Sequence, residues 1–336
     1  MPPLFHDPTR LRDFAFRVIR NIYGLPDTTE QNLDSIIRRV QTIHAGLNPE
    51  KEFFSLVWWL GCCNGIYAIE DVPPPVQGSD GDLRPSDFLA VCHYKGKNLP
   101  VLIEVKTDKN DELVWSEAYL GPRRRLAQLL QLPFLIAWKR NGIWALTDTE
   151  LFQKRVTAYH LHYEIALQEN LMSLLFGDVT VVLMEDFQFF AEARVHEPLP
   201  AEGLVPPGEY TFKILEAGFS VGGKKVGRLP SEQVWLFMAS PADNDVERIG
   251  PDSVRIILHP AAESAFPLFH VLLAQVAWPK PDGSETDWNT EIVKGPFPST
   301  GSRFREALQE GLGLGTVRYV LEQVPQTIPQ FLATLA

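Results

Sequence analysis

The chain has 336 residues, 45% of them hydrophobic, and a formal net charge of −11. A chain of this length can bury a large core, and it predicts two domains. No apolar run approaches the roughly 20 residues of a membrane-spanning helix, which excludes a helical membrane protein, and the acidic balance argues against tight, nonspecific binding to DNA.

The first third of the chain begins with helical patterns. Residues 1–48 have apolar side chains at helical spacing, and a further helix is predicted to begin at Asn48-Pro49, with Asn as the cap and Pro at the first helical position. Glu52 falls in the first turn of that helix. Residues 65–72 then predict a strand, and the Pro and Gly residues between 73 and 82 predict an exposed loop.

A β-hairpin follows this loop. The segments from Phe88 to Tyr94 and from Leu99 to Thr107 are rich in Val, Ile, Leu and Phe, which is typical of buried strands. A type II′ turn prefers Gly at its first central position. We therefore predict Gly96-Lys97 as the turn, and this turn pairs Lys95 with Asn98.

Three charged side chains converge in this register. Asp87 lies opposite Lys106, and residues two apart on a strand share a face, so Glu104 joins them. Mg²⁺ prefers such hard oxygen ligands, and a lysine beside the metal can orient or deprotonate the attacking water. The alternative is an edge strand whose Glu104 and Lys106 form a pair on the solvent face, with Asp87 as a turn residue.

The pattern Ser86-Asp87 followed by Glu104-Val105-Lys106 resembles the PD-(D/E)xK nuclease superfamily, which includes restriction endonucleases and archaeal Holliday-junction resolvases. The resemblance covers about residues 49 to 147. It departs from the motif because a serine directly precedes Asp87, and Pro85 lies one position earlier. The resemblance implies an α/β restriction endonuclease-like core, a mixed sheet flanked by helices.

The resemblance also implies a site and a cofactor. Asp87 and Glu104 would ligate Mg²⁺, for which Mn²⁺ could substitute, the Val105 carbonyl could add a ligand, and Lys106 would serve the water. Glu52, on the helix before the first strand, would assist the metal. The competing interpretation of Glu52 is an acid placed favourably in the first turn of a helix.

A helix ending near Leu132 is predicted after the hairpin. Pro122 starts or restarts this helix, and Leu126, Leu129 and Leu130 face inward. The basic run Arg123, Arg124 and Arg125 either contacts a phosphate backbone or forms a solvated face. A second hairpin is predicted with its turn at Asn141-Gly142.

The second half of the chain predicts several strands and helices without a repeat. Gly218-Phe-Ser-Val-Gly222 matches the nucleophile elbow of serine hydrolases, but Gly223-Lys-Lys follows it and predicts a hairpin turn where the elbow needs a helix. The glycines at 311, 313 and 315 follow a helical pattern and predict its C-cap. His160 and His162 could face a metal on a strand, but surface positions are the favoured interpretation.

The charge distribution and the cysteines indicate which partners and which cellular compartment to expect. Residues 1–150 contain 17 Lys and Arg against 19 Asp and Glu, whereas residues 151–336 contain 14 against 23. The acidic second half suits a solvated surface or a protein partner better than phosphate contacts. The three cysteines have no C-x-x-C spacing and the N-terminus lacks a signal pattern, so we expect a cytoplasmic protein.

The sequence therefore predicts three segments: N-terminal helices over 1–48, a nuclease-like α/β domain over 49–160, and an α+β domain of unknown role over 161–336. The predicted function is Mg²⁺-dependent hydrolysis of DNA phosphodiester bonds, with RNA not excluded as substrate. A homodimer or a protein partner bound through the acidic half is possible. The alternatives are a non-catalytic interaction subunit that keeps the nuclease-like fold and, more distantly, a serine hydrolase.

Overall fold

The structure is a computed structural model that describes residues 15, 18–19, 22–23, 49–69, 83–195, 212–262, 264–272 and 301–334. The predicted helical segment 1–48 falls almost wholly outside these residues, and the five described there are helical. The chain divides into two compact units. One comprises residues 1–45, 180–299 and 303–321, and the other comprises 46–179, 300–302 and 322–336.

The unit built from residues 46–179 contains the predicted hairpin. Its elements in chain order are α1 (Pro49–Leu60), β1 (Cys63–Ala68), β2 (Phe88–Tyr94), β3 (Lys97–Thr107), β4 (Glu112–Ser116), α2 (Glu117–Leu130), β5 (Phe134–Arg140), β6 (Ile143–Asp148), a 3₁₀ turn (Thr149–Leu151), β7 (Gln153–Arg155), β8 (Ala158–His162), α3 (Tyr163–Gln168), a π-helical turn (Met172–Phe176) and a single helical turn (Gln330–Ala333).

A mixed five-stranded sheet forms the centre of this unit, in the order β1-β2-β3-β5-β6. The β3 and β5 strands are parallel because the chain crosses over through β4 and α2, whereas the other neighbours are antiparallel. A smaller antiparallel sheet, β4-β8-β7, lies beside it. The predicted mixed sheet flanked by helices is thus confirmed in outline.

The two faces of the central sheet are covered differently. On one face α1 inserts Phe53, which is fully buried and whose ring lies 6.3 Å from that of Phe88 and 5.2 Å from that of Trp144. On the other face Leu120 of α2 packs in a core with Trp138. Because successive strand residues point to opposite faces, β3 contributes alternate side chains to the two layers.

The β2–β3 hairpin differs from the prediction in its register. Tyr94 pairs with Lys97, so Lys95 and Gly96 form the turn, with φ of +47° and +80°. Positive φ at both central residues is the type I′ geometry, which matches the twist of the flanking strands better than other turns. Each partner shifts by two residues, and every side chain therefore stays on its predicted face.

Helix α2 also differs from the prediction. It begins at Glu117, so Pro122 lies inside it, and its buried residues are Leu120, Gly121, Pro122 and Ala127. Leu129 and Leu130 are 69% and 50% exposed, which contradicts their predicted inward orientation. The second hairpin is confirmed, because Arg140 pairs with Ile143 around Asn141-Gly142.

In its described residues, the other unit consists of two antiparallel sheets and helical segments. Its elements in chain order are β9 (Thr180–Leu183), β10 (Phe187–Val195), β11 (Phe212–Val221), β12 (Lys224–Lys225), α4 (Ser231–Ala239), β13 (Ala242–Arg248), β14 (Ser253–Pro260), β15 (Ala265–Pro267), α5 (Gly301–Leu314) and β16 (Val317–Leu321). Helix α5 belongs to this unit from Arg303 onward, because residues 300–302 are assigned to the unit built from residues 46–179. The strand orders are β12-β11-β10-β14-β13 and β15-β9-β16.

Two motifs of this unit test predictions made from the sequence, and the second confirms its prediction only in part. Ser220 lies within β11 and is 7% exposed, and Gly222 and Gly223 turn the chain into β12, so Gly218–Gly222 is not a nucleophile elbow. Helix α5 ends at Leu314, so Gly311 and Gly313 lie inside it and the predicted C-cap is wrong for them, whereas Gly315 follows the helix with φ of +75°, as a C-cap glycine does. Among the described residues, no helix combines the length and apolar character needed to cross a membrane.

We expect Phe53 to anchor α1 to the central sheet. Phe53→Ala removes a buried ring that contacts Phe88, Trp144 and Phe176, and it should lower the free energy of unfolding by about 3–5 kcal/mol, as measured by urea titration with tryptophan fluorescence. The control is Trp58→Ala on the same helix, where the side chain is 52% exposed, and it should cost about 1 kcal/mol or less. Equal losses in the two variants would contradict this packing.

Candidate active site

Asp87 directly precedes β2 and is held from two sides. Its backbone carbonyl accepts a hydrogen bond from the Ile69 N–H at 2.9 Å, and its carboxylate Oδ2 accepts one from the Val105 N–H at 2.6 Å. Because Phe88 pairs with Ile103, the next position of the ladder places Asp87 opposite Glu104, where the prediction had placed Lys106. The corrected register therefore brings the two carboxylates closer together than the sequence alone suggested.

Glu104 is almost completely buried, with 1% of its surface exposed. Its Oε1 lies 3.0 Å from Lys106 Nζ and accepts a hydrogen bond from the Tyr119 hydroxyl, while Oε2 accepts one from Arg123 Nε at 3.0 Å. A buried charge is unfavourable unless it is paired and hydrogen-bonded. These three donors compensate the Glu104 carboxylate.

Lys106 lies at the boundary between the protein interior and solvent, with 32% of its side chain exposed. Burial lowers the pKa of Lys106, but the Glu104 carboxylate and the Tyr119 hydroxyl outweigh this effect and hold the pKa above its ordinary value. A lysine with a raised pKa keeps its proton at neutral pH. A protonated Lys106 can donate a hydrogen bond to water but cannot remove a proton from it.

The pair of carboxylates fits a divalent cation. Burial and the neighbouring Glu104 carboxylate raise the pKa of Asp87 to about 6, because two nearby negative charges disfavour one another. A carboxylate has about four acceptor positions, and the contacts above take one at Asp87 and three at Glu104. Mg²⁺ commonly takes one or two carboxylates and completes its shell with water and phosphate oxygens. The remaining acceptor positions suit such a shell.

Glu52 lies on the other face of the sheet from Glu104. Its Oε2 is 2.5 Å from Lys139 Nζ, and its Oε1 accepts a hydrogen bond from Trp144 Nε1 at 3.3 Å. Trp138 pairs with Lys106 on the parallel strand and shares its face, so the next residue, Lys139, points to the opposite face. The contacts of Glu52 thus give no support to its predicted role beside the metal.

Two residues near the site were missed in the sequence. The negative charge of Glu50, in the first turn of α1, adds to the effects of burial and Glu104 on the pKa of Asp87. Tyr119 contacts Glu104, and the same two influences, burial and the hydrogen bond to Glu104, raise the pKa of Tyr119 to about 12. Tyr119 and Arg123 are four residues apart on α2, a spacing that could have indicated a shared helix face.

The three arginines of α2 have different surroundings. Arg123 contacts Glu104 and the Tyr119 ring, with its guanidinium carbon 4.0 Å from the ring centroid. Arg124 donates to the Thr149 carbonyl and lies beside a cleft of about 380 Å³, while Arg125 is exposed. The predicted basic run is thus divided over the helix, with Arg123 in contact with Glu104.

A second charged cluster lies on the small sheet. The Glu112 carboxylate is 3.2 Å from His160 Nδ1, 3.0 Å from His162 Nε2 and 3.0 Å from an Arg155 guanidinium nitrogen. The neighbouring His160 ring is the main cause that lowers the pKa of Glu112. In the parts of the chain that the structure describes, no group of three His, Cys, Asp or Glu side chains has an arrangement that could hold a metal ion.

Comparisons with known proteins give little guidance. No protein-family model matches the chain, and no curated protein matches it. Among solved structures, the Holliday junction resolvase Hjc of Archaeoglobus fulgidus is similar over 34% of this chain and 88% of its own, with 14% identity and a TM-score of 0.27. This likeness is too weak to support an interpretation of the site, whose chemistry must be inferred from its own side chains.

The buried pair of Glu52 and Lys139 predicts a structural role for Glu52. Glu52→Gln leaves Lys139 buried without its ion pair and should lower the free energy of unfolding by about 3–5 kcal/mol in urea titrations. The double variant Glu52→Gln with Lys139→Met removes both charges and should regain most of that loss. Calorimetric Mn²⁺ affinity should be the same in the folded variants as in the wild type. A variant with unchanged stability and lost Mn²⁺ binding would instead place Glu52 in the metal site.

Proposed function

We propose that this protein is a metal-dependent nuclease that hydrolyses phosphodiester bonds in DNA. The observation that supports the proposal is the convergence of Asp87, Glu104 and Lys106 at one end of β2 and β3, on a single face of the sheet. Two carboxylates can hold a divalent cation, and a protonated amine can orient the water that attacks a phosphate. The proposed core is restriction endonuclease-like, within the three segments predicted from the sequence.

Each residue has a stated role in this proposal. Asp87 and Glu104 would bind Mg²⁺, or Mn²⁺ as a substitute, and the Val105 backbone, already hydrogen-bonded to Asp87, could add its carbonyl oxygen. When bound, the metal would polarise the phosphoryl group and stabilise the charge that develops on it. Lys106, held 3.0 Å from Glu104, would donate a hydrogen bond that orients the attacking water.

The substrate class is inferred from the surroundings of the site. Arg123 contacts Glu104 directly, and its guanidinium has the planar donor geometry that suits phosphate. Arg124 and Arg125 extend positive charge along α2. We propose DNA over RNA as the substrate because the motif resembles that of DNA nucleases. The protein would act in the cytoplasm, either as a homodimer or with a protein partner bound through its acidic second half.

A second candidate function is favoured by the contacts of Glu104. Lys106, Tyr119 and Arg123 already compensate this carboxylate without any metal. A site that is neutralised by its own side chains is also what a non-catalytic subunit would keep, because the same contacts stabilise the fold. The two functions differ in whether Asp87 and Glu104 bind a divalent cation.

Cleavage of supercoiled DNA tests the nuclease proposal. The wild type should nick DNA with Mg²⁺ or Mn²⁺ and not with EDTA, and Asp87→Asn and Lys106→Met should each reduce the rate roughly 10²-fold or more, since each removes a group that binds the metal or orients water. The control variants are Asp111→Asn, whose side chain is 80% exposed, and Lys109→Met, which is also exposed. Both should cleave at the wild-type rate.

The alternative is supported by a different result. If no form of the protein cleaves DNA or RNA and calorimetry shows no Mn²⁺ binding, the catalytic proposal is overturned and the non-catalytic function stands. Mn²⁺ binding that disappears in Asp87→Asn, with no cleavage of the DNA tested, would retain the metal site and redirect the search to other nucleic acids.

Arg123 competes with a cation for Glu104, and its removal separates the two functions. Arg123→Leu frees Oε2 and should tighten Mn²⁺ binding in the absence of DNA about tenfold, since a charge-assisted hydrogen bond contributes about 1.5–3 kcal/mol. Arg124→Leu, which faces Thr149 and Glu150, is the matched control and should leave Mn²⁺ affinity unchanged. If Glu104 is purely structural, Arg123→Leu should lower the melting temperature without any gain in Mn²⁺ binding.

A further inference from the structure

Two of the three cysteines face each other across the edge of the central sheet. Cys63 on β1 pairs directly with Cys92 on β2, although 28 residues separate them in the chain. Directly opposed residues on antiparallel strands have Cα atoms about 4.5–5.5 Å apart, which falls within the 4.4–6.8 Å range of disulfide-linked cysteines. The backbone therefore already satisfies the distance that a disulfide requires.

The side chains of this pair are also in contact. The neighbouring Cys92 thiol is the main cause that lowers the pKa of Cys63 to about 7. The same contact, together with burial, raises the pKa of Cys92. The Cys63 sulfur lies 2.8 Å from the Gly65 carbonyl oxygen and 3.3 Å from that of Val91, which fixes its position beside the partner strand.

The two thiols differ in their access to solvent. Cys63 is partly exposed, whereas Cys92 is completely buried. Thiol oxidants attack the thiolate that they can reach, and a second thiol close by then resolves the oxidised sulfur. Cys63 has the exposure of an attacked cysteine, and Cys92 has the position of a resolving one.

We propose that Cys63 and Cys92 form a redox-sensitive pair that a peroxide converts into a cross-strand disulfide and that a dithiol reduces again. The pair is separate from the proposed nuclease site, so this inference holds or fails independently of that function. Cys62, although adjacent in the chain, has no opposed cysteine across the β1–β2 ladder and stays a free thiol.

The oxidation proceeds in two balanced steps. The Cys63 thiolate attacks one oxygen of hydrogen peroxide, so that an S–O bond forms and the O–O bond breaks. Hydroxide is released from the peroxide, and Cys63 becomes a sulfenic acid. The Cys92 sulfur then attacks the Cys63 sulfur, an S–S bond forms, the S–O bond breaks, and water leaves with the Cys92 proton. Two thiols and one peroxide give one disulfide and two waters once hydroxide takes up the proton that Cys63 first released.

The disulfide between Cys63 and Cys92 would link the outer strand of the central sheet to its neighbour. Strand β1 is the outer strand, and its ladder is interrupted by a bulge between Cys63 and Gly65. Edge strands open more readily than central ones because they are paired on one side only. A covalent link at the bulge would hold β1 to β2.

Thiol counting on the full-length protein tests the proposal. After treatment with hydrogen peroxide and unfolding, reagent-accessible thiols should fall from three to one, the intact mass should fall by two hydrogens, and dithiothreitol should restore all three thiols. Non-reducing peptide mapping should find the Cys63 peptide joined to the Cys92 peptide. Hydrogen exchange in β1 should be slower in the oxidised form.

Single variants identify the partners. Cys62→Ser should still lose two thiols, whereas Cys63→Ser, at a partly exposed position, should keep both of its remaining thiols. Retention of three thiols in the wild type, loss of one thiol alone, a link that includes Cys62, or a disulfide-linked dimer would each overturn the proposal. Cys92→Ala gives a second check, because its folded form should lose the reversible mass change as well.

Discussion

The buried carboxylate of Glu104 is the constraint on which the unit built from residues 46–179 depends. A negative charge at 1% exposure needs donors on more than one side, and the chain supplies them from β3 itself and from α2. Tyr119 and Arg123 reach it together because they are one helical turn apart. The crossover helix is therefore positioned against β3 by charge as well as by the apolar contacts of Leu120.

The arrangement of the proposed site was largely predictable because an error of two residues in strand register leaves every side chain on the same face of the sheet. The turn was assigned one residue too far along the chain, which displaced every partner by two positions. A side-chain period of two returns each residue to the same face after such a shift, so Asp87, Glu104 and Lys106 still converge. The true turn was hidden because Lys95 adopts a positive φ, a conformation that lysine rarely takes.

Other features depend on contacts between distant segments, which periodicity does not reveal. Glu52 was predicted beside the metal, but it pairs with Lys139 on the face of the sheet opposite to Glu104. Leu129 and Leu130 continue the apolar pattern of α2 beyond the point where the helix leaves the core. Cys63 pairs with Cys92 because of the bulge after Cys63, and no residue type at that point predicts a bulge.

The type I′ turn at Lys95 and Gly96 has a practical value of its own. It lies before the first residue of β3, and Gly96 is eight residues and roughly 26 Å away from Glu104 at strand spacing. Among the described residues, no heavy atom lies within 4 Å of the place where a Gly96 Cβ would be. The exposed amine of Lys95 beside this open space is thus an attachment point for a fluorophore or a surface tether, whereas a side chain at Gly96 itself would be strained by its φ of +80°.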